Sequence, residues 1–467
     1  MEIYNNLKTL FNPASVAVIG ASENPEKLGF HVMTSLTKGS FKGLIVPVNP
    51  NTKEIMGIPS FHSITQYQQP IDLAVIVVPA ERVPAIFEEC SGKGVKGIVL
   101  VTAGFKELGD NTGTQRHNKL AKIADEAGMP VIGPNTIGIT NAHNNLNASF
   151  CPEFSLARKG KVALVTQSGG ISNILAADAM RYNIGISKIV PLGNRLNVDF
   201  AEIVKFLIGD HDTKVIALHM EGTDQPRLLM EAAKSSGGKK PIVAYKVGKE
   251  GKGDQASFSH TGSMSGKLEI YQGAMTQAGI LCVDSIQSLL DAAKVLSGSP
   301  LPEGPRVAVV TAQAGPGLVA AHVCEDEGLE LVSFKPETQA LINDIVPHFA
   351  YRTNPVDLGP GAVWYNPLAF HEILHAIMND QDVDAIILLM TYASANRETV
   401  SNISEFLIER NRKKPVISCI FAPPGIWDDQ IRRLEEAGAV VNLPTPERAA
   451  KGLSSLWQYK KISEQVW

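Results

Sequence analysis

A glycine- and serine-rich segment with a single histidine is the part of this chain whose residue types best suit chemistry. It runs from 246 to 266 (KVGKEGKGDQASFSHTGSMSG), and the histidine is His260. Neutral imidazole is a good nucleophile at pH 7 because its unperturbed pKa is about 6.5. The glycines of the segment leave the backbone free to move. The sequence therefore predicts a mobile loop with a nucleophilic histidine, although a lone histidine in a polar loop is more often a solvated bystander.

The chain repeats one order of strand and turn signals, and this duplication gives the histidine its context. From 161 to 299 the signals are VALVTQSGG, VDF, VIALHMEG, KKPIVAYK and AGILCV. From 306 onward they are VAVVTAQAGPG, VDL, AIILLM, KKPVISC and AGAVV, with only APPGIWDD where the first copy has the histidine segment. Since core packing would shape both copies alike, an insertion in one copy alone points to chemistry.

A nucleophilic imidazole needs a carboxylate on its other ring nitrogen to fix its tautomer and orientation. Glu221 follows the apolar run VIALHM, whereas the second copy has Thr391 at the matching place. We predict that Glu221 orients His260. Asp199 and Glu202 remain alternatives, but carboxylates at helix starts are also common because they complement the helix dipole.

Three Gly/Ser turns follow apolar strands and could bind phosphate. They are Gly20-Ala21-Ser22 with Lys27 beyond, GPNTIG (133–138) and TQSGGIS (166–172). At a helix start, free backbone amides in such turns attract anions, and in the third turn the Ser168 hydroxyl could add a further donor. Each turn is also compatible with a purely structural role, because glycine there permits close packing of helix on strand.

The first turn lacks the GxGxxG fingerprint of dinucleotide-binding proteins. Val48, Asn49 and Pro50 stand at the end of the next apolar run, where a dinucleotide would need a carboxylate for its ribose hydroxyls. NAD is therefore disfavoured, while a nucleotide phosphate remains possible at this turn.

The elements that position these residues are predicted to alternate between β-strand and α-helix. Val- and Ile-rich runs at 15–22, 43–50, 72–80, 97–104 and 130–138 alternate with stretches of helix length. Continuous apolar strands at this spacing are typical of parallel sheets covered on both faces. We predict an α/β protein of three doubly wound Rossmann- or flavodoxin-like domains, at 1–145, 146–300 and 301–467. The stretch 143–160 is interpreted as a linker and 297–305 as a domain boundary.

Composition narrows the class of protein further. The chain has 467 residues, 44% hydrophobic and 19% charged, and a net charge of −4, which does not suggest binding to nucleic acid or an anionic membrane. Its five cysteines form no CxxC pair, so neither a disulfide framework nor a metal site is predicted. We see no signal peptide and no apolar run of the about 20 residues that a membrane span needs. We predict a cytoplasmic protein.

The set of motifs resembles the alpha subunit of nucleoside-diphosphate-forming acyl-CoA synthetases, in particular the ADP-forming acetate–CoA ligases, and more distantly the alpha subunit of succinyl-CoA synthetase. VAVIGAS with the following lysine and glycine, VPVNP, GPNTIG, TQSGG and SHTGSMSG occur in the family's order over nearly the whole chain. The first domain would then bind coenzyme A, and the two others would be succinyl-CoA-ligase-like. The resemblance implies these cofactor-binding residues: Gly20, Ala21, Ser22, Lys27, Val48, Asn49, Pro50, Val78 and Pro79.

The same resemblance assigns the chemistry. His260 would be phosphorylated during turnover, and Glu221 would orient it. The phosphate site beside the histidine would comprise Gly133, Pro134, Asn135, Gln167, Ser168, Gly169 and Gly170, each group at a helix N-terminus. The reaction would be acid + ATP + CoA giving acyl-CoA + ADP + phosphate, reversibly, through an acyl phosphate.

The resemblance also implies a partner, since these residues contain no ATP-grasp-like domain. A separate beta subunit would bind ATP and Mg²⁺, in an α2β2 heterotetramer acting on a small carboxylic acid. One departure is Lys267, which stands where the family is expected to have an acidic residue. Two alternatives remain: a non-catalytic CoA or acyl-CoA sensor of the same fold, and an NAD(P)-binding oxidoreductase, which the GAS turn and Asn49 disfavour.

Overall fold

The structure is a computed structural model, and it describes residues 2–248, 268–359, 369–409 and 414–466. His260 and Lys267 lie outside the described residues. The chain divides into two compact units, Met1–Ile286 and Gln287–Trp467.

Apolar runs of the first unit form two main sheets, and amphipathic stretches form the helices between their strands; β3 and β4 make a separate antiparallel pair. The helices of this unit are α1 (Glu2–Phe11), α2 (Leu28–Lys38), α3 (Val83–Lys93), α4 (Asn111–Glu126), α5 (Gly169–Arg181), α6 (Phe200–Ile208), α7 (Pro226–Lys234) and α8 (Leu268–Gln277). The strands are β1 (Ser15–Ile19), β2 (Leu44–Val48), β3 (Glu54–Ile55), β4 (Ile58–Pro59), β5 (Leu73–Ile76), β6 (Gly97–Leu100), β7 (Val131–Ile132), β8 (Gly138–Asn141), β9 (Leu146–Ser149), β10 (Lys159–Thr166), β11 (Ile186–Pro191), β12 (Val215–Met220), β13 (Ile242–Lys246) and β14 (Ile280–Val283).

The first sheet is parallel with strand order β2-β1-β5-β6-β7. The second has the order β14-β13-β12-β10-β11-β8-β9, in which β10 to β14 are parallel and the antiparallel hairpin β8–β9 extends the edge at β11. In both sheets the chain first adds a strand on one side and then crosses to the other. Ligands of such folds bind at this switch point, beyond the carboxyl ends of the strands. The switch points lie between β1 and β5 and between β10 and β12.

The second unit repeats the same parallel arrangement. Its helices are α9 (Ile286–Gly298), α10 (Ala314–Asp326), α11 (Pro336–Ile345), α12 (Ala369–Asn379), α13 (Thr399–Glu409), α14 (Asp428–Glu436) and α15 (Pro446–Val466). Its strands are β15 (Arg306–Thr311), β16 (Glu330–Leu331), β17 (Val356–Asp357), β18 (Ala385–Thr391), β19 (Val416–Phe421) and β20 (Val441–Asn442). The order is β16-β15-β18-β19-β20, and β17 also pairs with β15. The predicted fold class, doubly wound α/β, is confirmed.

Matching hydrogen bonds support the duplication. In the first copy the Gln167 amide donates to the carbonyl of His219 at 3.1 Å, and in the second the Ala312 amide donates to the carbonyl of Leu389 at 3.2 Å. Each bond joins the residue after the first strand of the copy to the strand across the switch point. Gln167 therefore corresponds to Ala312, and His219 to Leu389.

Two local predictions were wrong. GPNTIG leads into strand β8 and not into a helix, because the residues from Gly138 onward pair with β9 on one side and β11 on the other. The pairing is close at Gly138, where a Cβ would lie 2.3 Å from the Ala148 carbonyl oxygen. The predicted linker contains β9, whose polar side chains are buried because they satisfy one another. Ser149 Oγ donates to Asn147 Oδ1 at 2.6 Å, and Asn147 Nδ2 donates to the Cys151 carbonyl at 3.0 Å.

Candidate functional site

A cleft of about 770 Å³ lies at the switch point of the first sheet. Its lining comes from the loops that follow β1, β2, β5 and β6, from the first turn of α2, from residues 62–63 and from Arg82, Ile86 and Glu89 at and within the start of α3. All of the predicted cofactor-binding residues line it: Gly20, Ala21, Ser22, Lys27, Val48, Asn49, Pro50, Val78 and Pro79. The structure thus brings together residues that are up to 59 positions apart, because the carboxyl ends of parallel strands meet at one edge.

Two glycines allow the backbone to pack closely at the floor of the cleft. Gly20 has φ +98°, in the region that favours glycine, and a Cβ there would lie 2.5 Å from the Val77 carbonyl oxygen. A Cβ on Gly29 would lie 2.0 Å from the carbonyl oxygen of Gly20. The start of α2 therefore rests directly on the turn after β1, which brings the helix N-terminus to the cleft.

Polar contacts fix the rim of the cleft. Asn49 Nδ2 donates to the Ala21 carbonyl at 2.8 Å, and Asn49 Oδ1 accepts from the Asn51 amide at 2.8 Å. The exposed Lys27 is the N-cap residue of α2 but makes no side-chain cap, and the first turn of the helix has no acidic residue. A helix N-terminus with a lysine and without carboxylates favours a bound anion. The cleft thus fits a phosphorylated ligand.

The loop at Gly133–Asn135 is fastened between the first and second sheets. Its backbone exchanges bonds with the loop after β11: the Gly133 amide donates to the Leu192 carbonyl at 3.1 Å, and the Asn194 amide donates to the Pro134 carbonyl at 2.9 Å. On the other side, the Asn135 amide donates to the Thr102 carbonyl at 3.0 Å, and Thr102 lines the cleft. This loop is a rigid turn and not the helix N-terminus that was predicted.

The start of α5 lies against that loop. A Cβ on Gly169 would be 2.8 Å from Ile137 Cγ1, so glycine is needed for the approach. Ser168 is the N-cap residue, and its hydroxyl accepts from the Ile171 amide at 3.5 Å. The prediction that TQSGG opens a helix is confirmed, and its first-turn amides point to the carboxyl edge of the second sheet.

Gln167 and Glu221 meet at the switch point of the second sheet. Glu221 directly follows β12 and is half-buried. The buried Gln167 accepts from the amides of Glu221 and Gly222 through its side-chain carbonyl oxygen, at 3.0 and 3.1 Å. Two backbone bonds to one buried acceptor fix the peptide that carries the Glu221 side chain. Gln167 therefore acts here as a support for Glu221, in addition to any contact with a ligand.

Arg195 secures the same turn from the other side, and sequence reasoning did not identify it. The buried guanidinium donates to the Gly222 carbonyl and lies 3.4 Å from Asp224 Oδ2. It also lies 3.4 Å from Asp199 Oδ1. The φ of Arg195 is +52°, which an arginine rarely adopts. The turn after β12 is thus held through its amides by Gln167 and through its carbonyl by Arg195.

The alternative partners for His260 are engaged elsewhere. Asp199 and Glu202 form a capping box at the start of α6. Asp199 Oδ2 also accepts from the Thr223 hydroxyl at 2.8 Å, and the Asp199 amide donates to Glu202 Oε2 at 2.9 Å. These bonds give both carboxylates a structural role at the start of α6.

The second copy lacks this arrangement. Since His219 matches Leu389, Glu221 corresponds to Thr391, and Gln167 corresponds to Ala312. In the second copy the Thr391 hydroxyl donates to the side-chain oxygen of Gln313, the N-cap residue of α10. The acceptor that supports the turn and the carboxylate that the turn presents are both specific to the first copy.

His219 lies beneath this site, in β12. It is 2% exposed, packs edge-on against Tyr245, and burial lowers its pKa to about 4. Its Nδ1 atom is buried and finds no hydrogen-bond partner among the residues that the structure describes. At neutral pH the ring is therefore uncharged, and it packs as a core side chain.

The described residues offer neither a metal cluster nor a membrane-spanning helix. Within this part of the chain, no group of three or more His, Cys, Asp or Glu side chains is placed to hold a metal ion. Across the same residues, no helix combines the length and the hydropathy that a bilayer crossing requires.

Comparison with known proteins gives consistent matches. The model of the CoA binding domain family matches residues 14–142, and that of the succinyl-CoA ligase like flavodoxin domain matches residues 159–296. The chain is 36% identical over 459 residues to acetate–CoA ligase [ADP-forming] II subunit alpha of Pyrococcus furiosus, covering 97% of this chain and 98% of the relative. It is 34% identical to acetate–CoA ligase [ADP-forming] I of Archaeoglobus fulgidus, covering 98% of this chain and 64% of that longer one.

A solved structure agrees over the same length. The dinucleotide forming acetyl-coenzyme A synthetase 1 of Ca. Korarchaeum cryptofilum, in complex with phosphate and ADP, superposes with a TM-score of 0.86 at 33% identity. The match covers 99% of this chain and 98% of the other.

Proposed function

Because this chain belongs to the family of ADP-forming acetate–CoA ligase alpha subunits, we propose that it performs the CoA and phosphohistidine chemistry of such a ligase. The overall reaction is acid + ATP + CoA giving acyl-CoA + ADP + phosphate, and it is reversible. The observation that carries the proposal is the pairing of the cleft at the first switch point with the supported Glu221 at the second.

Coenzyme A fits the cleft by its chemistry. Its phosphates would lie at the turn of Gly20–Ser22 and the start of α2, where backbone amides and Lys27 offer positive charge. The remainder would extend past Val78 and Pro79 toward Thr102 and its neighbours on the far wall. A flexible ligand with a phosphorylated head and a long thin tail matches a cleft with one anion-binding end.

The chemistry would proceed in three transfers. The γ-phosphoryl group of ATP passes to an imidazole nitrogen of His260 and releases ADP. The phosphoryl group then passes to a carboxylate oxygen of the acid, which forms an acyl phosphate and regenerates the imidazole. Finally the CoA thiolate attacks the acyl carbon, the C–O bond to phosphate breaks, and acyl-CoA and phosphate leave.

Residues of this chain would stabilise those steps electrostatically. Glu221 would accept a hydrogen bond from the second ring nitrogen of His260, which favours the nucleophilic tautomer and stabilises the positive charge of the phosphorylated ring. The first-turn amides of α5, at Ser168 to Gly170, would bind the phosphoryl oxygens. Gly133–Asn135 would complete the phosphate site as a rigid turn, together with Gln167.

A partner subunit would supply the nucleotide site. We propose a separate ATP-grasp beta subunit that binds ATP and Mg²⁺, within an α2β2 cytoplasmic enzyme acting on a small carboxylic acid. Support comes from the Pyrococcus furiosus relative, which is named subunit alpha and has nearly the length of this chain, whereas the Archaeoglobus fulgidus relative is a longer polypeptide. Mg²⁺ would supply charge neutralisation on the transferred phosphoryl group.

The test is thioester formation by the purified chain with its beta subunit, ATP, Mg²⁺, CoA and a panel of short carboxylic acids. We expect acyl-CoA, ADP and phosphate in equal amounts. His260→Ala should abolish the reaction, and His322→Ala is the matched control because that histidine is exposed on α10 of the second unit. CoA binding without any ATP-dependent thioester would instead favour the sensor.

A further inference from the structure

A carboxylate, Glu107, lies between the CoA cleft and the loop Gly133–Asn135, which is called the phosphate loop below. Glu107 lies in the loop after β6, directly beyond the cleft residues Val101, Thr102 and Ala103. It is half-buried and belongs to a short helical turn, Lys106–Leu108. The cleft ends where this loop begins.

Glu107 bonds to both sides of the joint. On the cleft side, its Oε1 atom accepts from the amides of Gly104 and Phe105 at 2.6 and 3.2 Å. On the phosphate side, its Oε2 atom accepts from Asn194 Nδ2. Asn194 in turn accepts from Asn135 Nδ2 at 3.5 Å through Oδ1.

A second path runs beside the first. The Asn135 amide donates to the Thr102 carbonyl at 3.0 Å, and the Asn194 amide donates to the Pro134 carbonyl at 2.9 Å. Asn135 itself has φ +61°, so the loop adopts a conformation that its surroundings must hold. Glu107 completes this ring of contacts and is its charged member. Hydrogen bonds to a charged carboxylate are stronger than those between neutral groups.

We propose that Glu107 is a positioning residue that holds the inner end of the CoA cleft in register with the phosphate loop. This inference rests on the proposed function, because it concerns the step in which the CoA thiolate reaches the acyl phosphate. Glu107 does not line the cleft itself, so it acts on the distance between two sites and not on the affinity of either. A displacement of about 1 Å between reacting groups costs about 100-fold in rate.

The experiment separates three readouts for Glu107→Gln: CoA affinity, phosphorylation of His260 by ATP with the beta subunit, and acyl-CoA formation. The glutamine keeps an oxygen for Gly104 and Phe105 but can turn only an amide nitrogen toward the Asn194 donor. We expect unchanged affinity and phosphorylation, with acyl-CoA formation slower by about 10- to 100-fold. Glu126→Gln, exposed at the end of α4, should leave all three unchanged.

The decisive part of the experiment is a double variant that exchanges the hydrogen-bond donor and acceptor at positions 107 and 194. In the double variant Glu107→Gln, Asn194→Asp the donor and the acceptor exchange sides, and the carboxylate introduced at position 194 still accepts from Asn135. We expect acyl-CoA formation to recover in this double variant, whereas Asn194→Asp alone should be slow because two carboxylates face each other. An unchanged rate in Glu107→Gln, an equal loss in all three readouts, or a folded double variant without recovery would overturn the inference. Absence of acyl-CoA formation by the wild-type protein would overturn the proposed function instead.

Discussion

Gln167 offers the sharpest test of how the turn that carries Glu221 is held. Its side-chain oxygen accepts from the amides of Glu221 and Gly222 at 3.0 and 3.1 Å. Gln167→Leu removes that acceptor and leaves the shape of the side chain nearly unchanged. A net hydrogen bond contributes about 0.5–1.5 kcal/mol, so the local free energy of opening should fall by about 1–3 kcal/mol. Gly222 is buried, which places the loss toward the upper end.

The assay is hydrogen–deuterium exchange of peptides that contain residues 220–223. A loss of about 1–3 kcal/mol in local opening corresponds to exchange that is about 5- to 150-fold faster. Gln167→Glu is the matched control, because a carboxylate still accepts both amides. It should keep the protection of the turn, while its added charge should weaken phosphate binding beside α5.

The same pair of variants separates support from direct ligand contact. If Gln167 acted only through a ligand, both variants would lose activity and neither would change exchange at the turn. Exchange in Gln167→Leu that equals the wild-type exchange would refute the support role. We also expect Gln167→Leu to slow phosphorylation of His260, because Glu221 loses its fixed peptide.

Two further predictions concern the cleft and acid stability. Gly29→Ala should weaken CoA binding by more than about tenfold, because its Cβ would lie 2.0 Å from the carbonyl oxygen of Gly20. The control is Gly92→Ala in α3, whose Cβ would meet no atom within 4 Å and which should leave CoA binding unchanged. The pKa of His219 is about 4 in the folded chain, below its unfolded value of about 6.5, so the unfolded state binds the extra proton between these values and stability is lost as pH falls through that window. Between pH 7 and pH 4.5 the loss amounts to about 2 kcal/mol, measured by urea unfolding at the two pH values, and His219→Leu, which copies Leu389 of the second copy, should reduce it.

Each of these predictions has a contradicting result. Equal CoA dissociation constants for Gly29→Ala and Gly92→Ala, measured by calorimetry, would show that the close approach at the turn is not needed. An unchanged acid dependence in His219→Leu would mean that other groups govern the stability between pH 7 and pH 4.5. Unfolding followed by two probes will show whether the two units melt together.

Much of the cleft could be predicted from the sequence because parallel strands bring their carboxyl ends to one edge. Apolar runs located the strands, and the residues after them then had to converge. Gly20 and Asn49 thus reached one cavity although they lie on different strands. The structure brings Gln167 and Glu221 together for the same reason, since β10 and β12 are neighbours across the switch point.

Other features could not be predicted because they depend on long-range partners. Gly138 resembles a helix-opening glycine, but the strand at 146–149 captures it as a β-strand residue. That strand is short, and its buried Asn and Ser side chains bond to each other, so it is not one of the continuous apolar runs by which the other strands were located. Arg195 and Glu107 carry no sequence signal of their own, because their roles appear only when loops from separate strands meet.

The central claim is that His260 carries a phosphoryl group during turnover, and it is most directly tested by mass spectrometry of the intact chain and its peptides. The purified chain should be incubated with its beta subunit, ATP and Mg²⁺, and in the reverse direction with acetyl-CoA and phosphate. The account predicts one base-stable, acid-labile phosphate on the peptide that contains His260, absent from His260→Ala and reduced in Glu221→Gln. No phosphate in either direction, from a preparation that binds CoA, would contradict the catalytic account.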